Sequence, residues 1–199
     1  MNANPAPGLG IIVLAAGFSL RLGQPKALAS VRGASLLKRM LELAAGLRAT
    51  RIIVVVPRNA SRYRLEASGI KAEFVVNLQR AQGLSSSVRR GVAAARYSRA
   101  VLLIPADLAR LKAREMRRLI SRWRAAPRRL VARRIGQSGG APLILPRWLF
   151  PKALGISGDA GLRELVRQLP IASLVLVDLP SAAFDVDTTV DLKIARRTY

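Results

Sequence analysis

The sequence predicts an α/β fold of three layers, with a mostly parallel sheet between two layers of helices. Three observations carry that expectation. Short β-branched apolar runs alternate with segments of helical periodicity along the 199 residues. Strand–helix–strand alternation implies parallel strands joined by right-handed crossovers. The apolar share is 51%, enough to build a core and too much for a disordered chain. No repeat, low-complexity linker or composition break divides the chain. Residues 1–199 are therefore expected to form one domain, with 1–9 as a flexible N-terminus.

The elements follow in order. IIVLAAG (11–17) reads as a buried strand. SLLKRMLELAAG (35–46) has apolar residues at helical spacing, with Gly46 placed to end the helix. RIIVVVP (51–57) is a strand that Pro57 closes, SRYRLEAS (61–68) a short helix and AEFVVN (72–77) the next strand. After Gly83, LSSSVRRGVAAARY reads as a helix with serines over its first turn. AVLLIPAD (100–107) is a strand with Asp107 at its carboxyl end. Leu111, Leu119, Ile120 and Trp123 then share one helical face, surrounded by arginines. RLVARRIG (129–136) reads as a strand, Gly139-Gly140 as a turn and APLILP (141–146) as a strand. DAGLRELVRQL (159–169) is a helix, SLVLVDLP (173–180) a strand and TTVDLKIARR (188–197) a final helix capped by Asp187 or Thr188.

Composition narrows the chemistry. The chain has no Cys and no His. Disulfides, thiolate metal sites, a Cys nucleophile and a His general base are all excluded. Any metal is then a hard ion held by carboxylates, which points to Mg²⁺. The N-terminus lacks the charged start and apolar core of a signal peptide, and no apolar run is long enough to span a bilayer. A cytoplasmic protein with no membrane partner is expected.

Thirty-four Lys and Arg stand against eleven Asp and Glu, a net charge of +23. That balance either paints solvated faces or attracts an anionic partner such as an acidic protein. Nucleic acid is not the expected partner, because only 5% of residues are aromatic and no nucleic-acid-binding module is visible.

The stretch LAAGFSLRLGQPK (14–26) carries the most chemistry. It leaves a strand as a loop of glycines and cations with no acid. Glycines let backbone N–H groups approach a phosphate, Ser19 adds a hydroxyl, and Arg21 and Lys26 supply a planar fork and a point charge. The spacing is neither the Walker A loop nor G-x-G-x-x-G. An open α/β sheet holds its ligand outside the carboxyl ends of the strands, and both this loop and Asp107 lie there.

With Gly33 and SLLKR following, this stretch resembles the signature of the MobA-like nucleotidyltransferases, nearest to the molybdenum cofactor cytidylyltransferases of the MocA type. The similarity continues in order through FVVNLQRAQGLSSSVRRGV, LLIPAD, GGAPLILPRWLFPKAL, GDAGLR and FDVDTTVDL. The resemblance implies a Rossmann-like nucleotidyltransferase fold that binds a nucleoside triphosphate, with Mg²⁺ as cofactor. It implies triphosphate contacts from Leu14, Ala15, Ala16, Gly17, Ser19, Arg21 and Lys26, and base and ribose contacts near Gly83, Ser85, Ser86 and Ser87. Arg21, Lys26 and Asp107 would be catalytic. Asp107 would hold the metal, and Asp185 is either a second ligand or a group behind the first. Gly140, Pro142, Asp159 and Arg163 would face the acceptor, with Asp159 alternatively capping its own helix and Arg163 alternatively bracing a carboxylate.

LAAG and the serine-rich GLSSS are more similar to the CTP users of the family than to its GTP users. The implied reaction is attack of an acceptor phosphate on the α-phosphorus of CTP, with pyrophosphate leaving and a phosphorylated molybdopterin as acceptor. Two departures fall on the acceptor side. Leu108-Ala109 stands where the family has Gln-Pro or Met-Pro, and Ala141 stands where it commonly has His. A transferase with another base or phosphorylated acceptor therefore stays open. So does a low-turnover nucleotide-binding protein that docks on a partner enzyme through its basic surface.

Overall fold

The computed structural model describes residues 6–19 and 21–198. Its centre is a seven-stranded sheet in the order β5-β4-β1-β6-β8-β7-β9. The strands are β1 (Ala6–Leu14), β4 (Ala49–Val56), β5 (Glu73–Val76), β6 (Ala100–Pro105), β7 (Leu130–Ile135), β8 (Ser138–Pro146) and β9 (Leu174–Val177). A separate hairpin pairs β2 (Ser30–Val31) with β3 (Ala34–Ser35). β8 runs antiparallel to both of its neighbours, and every other pairing in the large sheet is parallel. The mostly parallel three-layer expectation holds.

Both faces of the sheet are buried, which explains why its strands read as continuous apolar runs. Along β1, Ile11 and Val13 enter one core with Val54, Leu102 and Ile104. Ile12 and Leu14 enter the other with Ile53, Val55 and Leu103. Helices α1 (Leu36–Gly46), α2 (Ser61–Leu65) and α4 (Ala113–Ala125) cover the first face through Leu37, Leu41, Tyr63, Leu119 and Trp123. Helices α3 (Leu84–Ala94), α5 (Phe150–Leu154) and α6 (Gly161–Arg167) cover the second through Val88, Val92, Phe150, Leu162 and Val166.

A third, small core lies beyond the carboxyl ends of the strands. It joins Leu22 and Ala29 of the opening loop, Val31, Leu36, Ala109 and Val186 to Leu192 and Ala195 of α7 (Thr189–Thr198). The last helix thereby anchors the first loop.

Several boundaries differ from expectation. β1 begins at Ala6, and Leu9 is fully buried opposite Ala100, so residues 6–9 belong to the central strand. Residues 1–5 lie outside the described residues. Gly139 and Gly140 are strand residues paired with Arg134 and Arg133. The turn sits three residues earlier, where Ile135 pairs with Ser138 across a two-residue loop and Gly136 takes φ +58°. Leu111 precedes α4 but is still buried against it. Thr188 caps α7 and Asp187 does not. The Thr188 hydroxyl accepts from the Asp191 N–H at 3.2 Å, while Asp191 accepts from the Thr188 N–H at 2.8 Å. Among the described residues no helix is long and apolar enough to cross a membrane.

Candidate functional site

β1 leaves the sheet at Leu14, and its neighbours on either side hold the exit. The Ala15 N–H donates to the Val55 carbonyl at 2.8 Å, and the Ala106 N–H donates to the Leu14 carbonyl at 3.1 Å. Ala15 and Ala16 stay buried while Gly17 emerges into solvent. The chain then turns through Ser19, whose φ is +56°. The Ser19 hydroxyl accepts from the Lys26 N–H at 2.8 Å and closes the loop on itself. A short 3₁₀ turn at Lys26–Leu28 follows, which carries Lys26 over the ends of β1 and β6.

There Lys26 meets two carboxylates. Its ammonium donates to Asp187 and lies 3.7 Å from Asp107 Oδ2. Arg21 reaches the other Asp187 oxygen at 3.8 Å from an exposed position. The Asp107 carbonyl accepts from the Val186 N–H at 3.1 Å, which binds the end of β6 to the 185–187 segment. Val186 is fully buried in the small core, and the carboxylates that flank it remain accessible.

Burial pushes the Asp107 carboxyl above its ordinary range, although the Lys26 ammonium opposes the rise. Asp185 is also raised, first by partial desolvation and then by the nearby Asp107 charge. Asp191 is lowered by its hydrogen bonds from Thr188.

The opposite wall is the N-terminus of α3. Gly83 holds φ +84°, ψ −175°, and a Cβ there would lie 2.5 Å from Asp159 Oδ1 and 2.8 Å from the Gly158 carbonyl carbon. That close approach lets Asp159 accept from the Leu84 N–H at 2.8 Å. Asp159 thus caps α3, across 75 residues of sequence, and not its own helix. Behind it, buried Asn77 donates to the hydroxyls of Ser86 and Ser87 at 2.8 and 3.0 Å.

A cleft of about 230 Å³ runs between these walls. Leu14, Ala15, Ala16, Gly17, Ser19, Lys26, Gly83, Ser87, Asp107 and Asp159 all line it. Ser85 and Ser86 turn inward, with Ser85 packed close to Gly161. Arg21 stands at the rim through its contact with Asp187. Gly140 and Pro142 are buried within β8. Arg163 is exposed on α6 and makes no hydrogen bond or ion pair with Asp159 among the described residues. Leu108 and Ala109, the acceptor-side departures, are packed into the cores.

Sequence reasoning missed two features of the cleft. Asp187 was expected first as a helix cap, yet it is the direct partner of Lys26. The available signal was the Asp-Val-Asp pattern, in which one buried residue leaves two carboxylates accessible. Phe18 and Arg80 also line the cleft, with the guanidinium 3.9 Å from the ring centre. No spacing rule connects residues so far apart.

The model of the MobA-like NTP transferase domain matches residues 11–173. The chain belongs to the MobA-like NTP transferase family. A 3-phospho-D-glycerate guanylyltransferase from Colwellia psychrerythraea is 33% identical over 93 residues, covering 47% of this chain and 44% of that protein. The match thus spans under half of that relative's length. Among solved structures, Rv0371c from Mycobacterium tuberculosis is 26% identical, with a TM-score of 0.76 over 96% of this chain and 99% of that one. A manganese complex of the same protein superposes with a TM-score of 0.72 at 25% identity, with the same coverage. A nucleotidyl transferase from Methanothermobacter, at 22% identity, TM-score 0.78 and coverage of 94% and 95%, shares the fold.

Proposed function

We propose that this MobA-like protein transfers CMP from CTP to the phosphate of a molybdopterin-type acceptor, using a divalent metal and releasing pyrophosphate. One observation carries the catalytic part: the Lys26 ammonium lies against the carboxylates of Asp107 and Asp187 at the mouth of the cleft. Two hard oxygen donors converging on one cation suit Mg²⁺ or Mn²⁺. No cluster of three or more acidic ligands exists among the described residues. That fits an ion which keeps waters and takes its other ligands from phosphate. Asp107 and Asp187 would hold the ion, with Asp185 adding negative charge behind them.

Held there by Asp107 and Asp187, such an ion would supply positive charge to offset the negative charge that develops in transfer. The chain's own residues do the rest. Backbone N–H groups and the Ser19 region cradle the triphosphate, and Lys26 and Arg21 turn from Asp187 to its oxygens. Gly83 and Ser87 border the nucleoside. An acceptor phosphate oxygen forms a bond to the α-phosphorus as the bond to the β-phosphate oxygen breaks. A phosphate monoester is already ionised at neutral pH, so the absence of His and Cys is no obstacle. Positioning and charge neutralisation supply the catalysis.

CTP is preferred on the resemblance of LAAG and GLSSS to the CTP users of the family. The match to a guanylyltransferase favours a second reading, with GTP as donor and another phosphorylated acceptor. Calorimetry with CTP, GTP, ATP and UTP, with and without Mg²⁺ or Mn²⁺, tests the donor. Pyrophosphate release with molybdopterin and with phosphoglycerate tests the acceptor. Metal-enhanced CTP binding with molybdopterin turnover supports the proposal. Selective GTP binding replaces it with the second reading.

A further inference from the structure

Charge is not spread evenly over this fold. The carboxylates gather at the carboxyl ends of the strands: Asp107 and Asp178 follow strands there, Asp185 and Asp187 are tied to the end of β6 through Val186, and Asp159 caps α3 there. At the opposite end of the sheet, strand register places one carboxylate, Glu73 at the start of β5, and Arg51 already pairs with it. The rest of that end is basic. Arg96 and Arg99 precede β6, Arg128 and Arg129 precede β7, and Arg147 follows β8, all of them exposed.

These segments are stitched together. The Arg99 N–H donates to the Gly8 carbonyl at 2.7 Å, and the Arg147 N–H donates to the Arg99 carbonyl at 2.9 Å. The Trp148 indole N–H donates to the Arg128 carbonyl at 2.7 Å. Trp148 is 47% exposed and Tyr97 71% exposed, and the Arg96 guanidinium lies 4.4 Å from the Tyr97 ring centre. Aromatic residues are scarce in this chain, yet two of the exposed rings lie here among arginines that have no carboxylate partner among the described residues, at the end of the sheet opposite the cleft.

We propose that this end of the sheet binds single-stranded nucleic acid, with Trp148 and Tyr97 as stacking platforms and Arg96, Arg99, Arg128 and Arg147 as phosphate partners. Guanidinium forks suit phosphate oxygens, and every base offers a π-face to an exposed ring. The proposal departs from the expectation drawn from the low aromatic content, because position matters more than number. It is independent of the cleft and of the transfer reaction proposed for it.

The test titrates the intact protein with a dye-labelled oligouridine of about 12 nucleotides at about 50 mM salt, following the dye's anisotropy for every variant and tryptophan emission for the unaltered chain. Polyglutamate of matching charge is the comparison, since it offers charge without bases. The chain has two tryptophans, and the other, Trp123, is buried. The oligomer should quench Trp148 and bind more tightly than polyglutamate. Trp148→Ala should weaken it at least about fivefold, whereas Trp148→Phe, which keeps a ring, should hold most of the affinity. Arg128→Glu with Arg147→Glu should weaken it more than about tenfold, flatten its salt dependence and leave CTP binding unchanged. Equal binding of polyglutamate, with Trp148→Ala silent, would overturn the proposal in favour of an acidic protein partner. Oligomer binding that survives the charge reversal would overturn it in favour of diffuse attraction.

Discussion

Gly83→Ala is the sharpest perturbation of the cleft. Two costs add. The first is conformational: φ +84° with ψ −175° is a region that side-chain-bearing residues avoid, and occupying it costs about 1–3 kcal/mol. The second is steric. The new methyl would stand 2.5 Å from Asp159 Oδ1, which can swing away, but also 2.8 Å from Gly158 C and 2.9 Å from Asp159 N, which are backbone. Separating the 158–159 segment from α3 costs about 1–3 kcal/mol, as overpacking does elsewhere. A central total of about 4 kcal/mol lowers the melting temperature by roughly 8–16 °C in a chain of this size. Gly23→Ala is the control. Its φ is +68°, but a methyl there meets nothing within 4 Å, so it pays only the left-handed cost of about 1–2 kcal/mol. Thermal unfolding of both variants, read with CTP affinity, separates the costs. If Gly83→Ala melts no lower than Gly23→Ala, the close approach of the 158–159 segment to α3 does not exist in solution.

Other perturbations test the charged wall. Asp107→Asn should abolish metal-dependent turnover yet raise the melting temperature at pH 7. The raised carboxyl makes the folded chain the better proton binder, so folding loses stability as pH climbs from the ordinary carboxylate value through the raised one. The gain should fade as pH falls below the ordinary value, and a lower melting temperature at pH 7 would show that the Lys26 pairing outweighs desolvation. Lys26→Ala should weaken triphosphate binding about tenfold or more by calorimetry, and unchanged affinity would reduce the loop to a strand exit. Asn77→Ala strands the Ser87 hydroxyl and leaves Ser86 only its bond to the Gly83 carbonyl, and should cost about 1–3 kcal/mol in urea unfolding. Thr188→Ala should cost about 1 kcal/mol through loss of the α7 cap, by the same measurement.

The strands were legible because a sheet buried on both faces demands uninterrupted β-branched runs, as in β1 and β4. Their directions were less so. β8 is as apolar as its neighbours, and nothing in APLILP distinguishes an antiparallel strand from a parallel one. Only the two-residue loop at Gly136 marks the reversal. The β2–β3 hairpin left a faint trace at Arg32-Gly33, both at positive φ, in residues too few to show a period. In the cleft, the loop cations were visible because no core needs them. Asp187 was obscured by an adequate local explanation, since a carboxylate before a helix reads as a cap. Asp159 was obscured in the same way, and its true partner, the Leu84 N–H, is distant in sequence. Local patterns show what a residue can do nearby; the tertiary fold decides which partner wins.

The small core beyond the strand ends has a consequence in time. Leu22, Ala29 and Val31 are translated early, but the residues that bury them, Val186, Leu192 and Ala195, come last. Arg196 adds its own tie by donating to the Ser30 carbonyl at 3.1 Å. Closing so long a loop is slow and contributes nothing until its final residues emerge. The sheet can pack before residues 186–196 emerge, but the 14–26 loop stays unanchored until they do. Order in that loop is thus acquired later than order in the sheet it leaves.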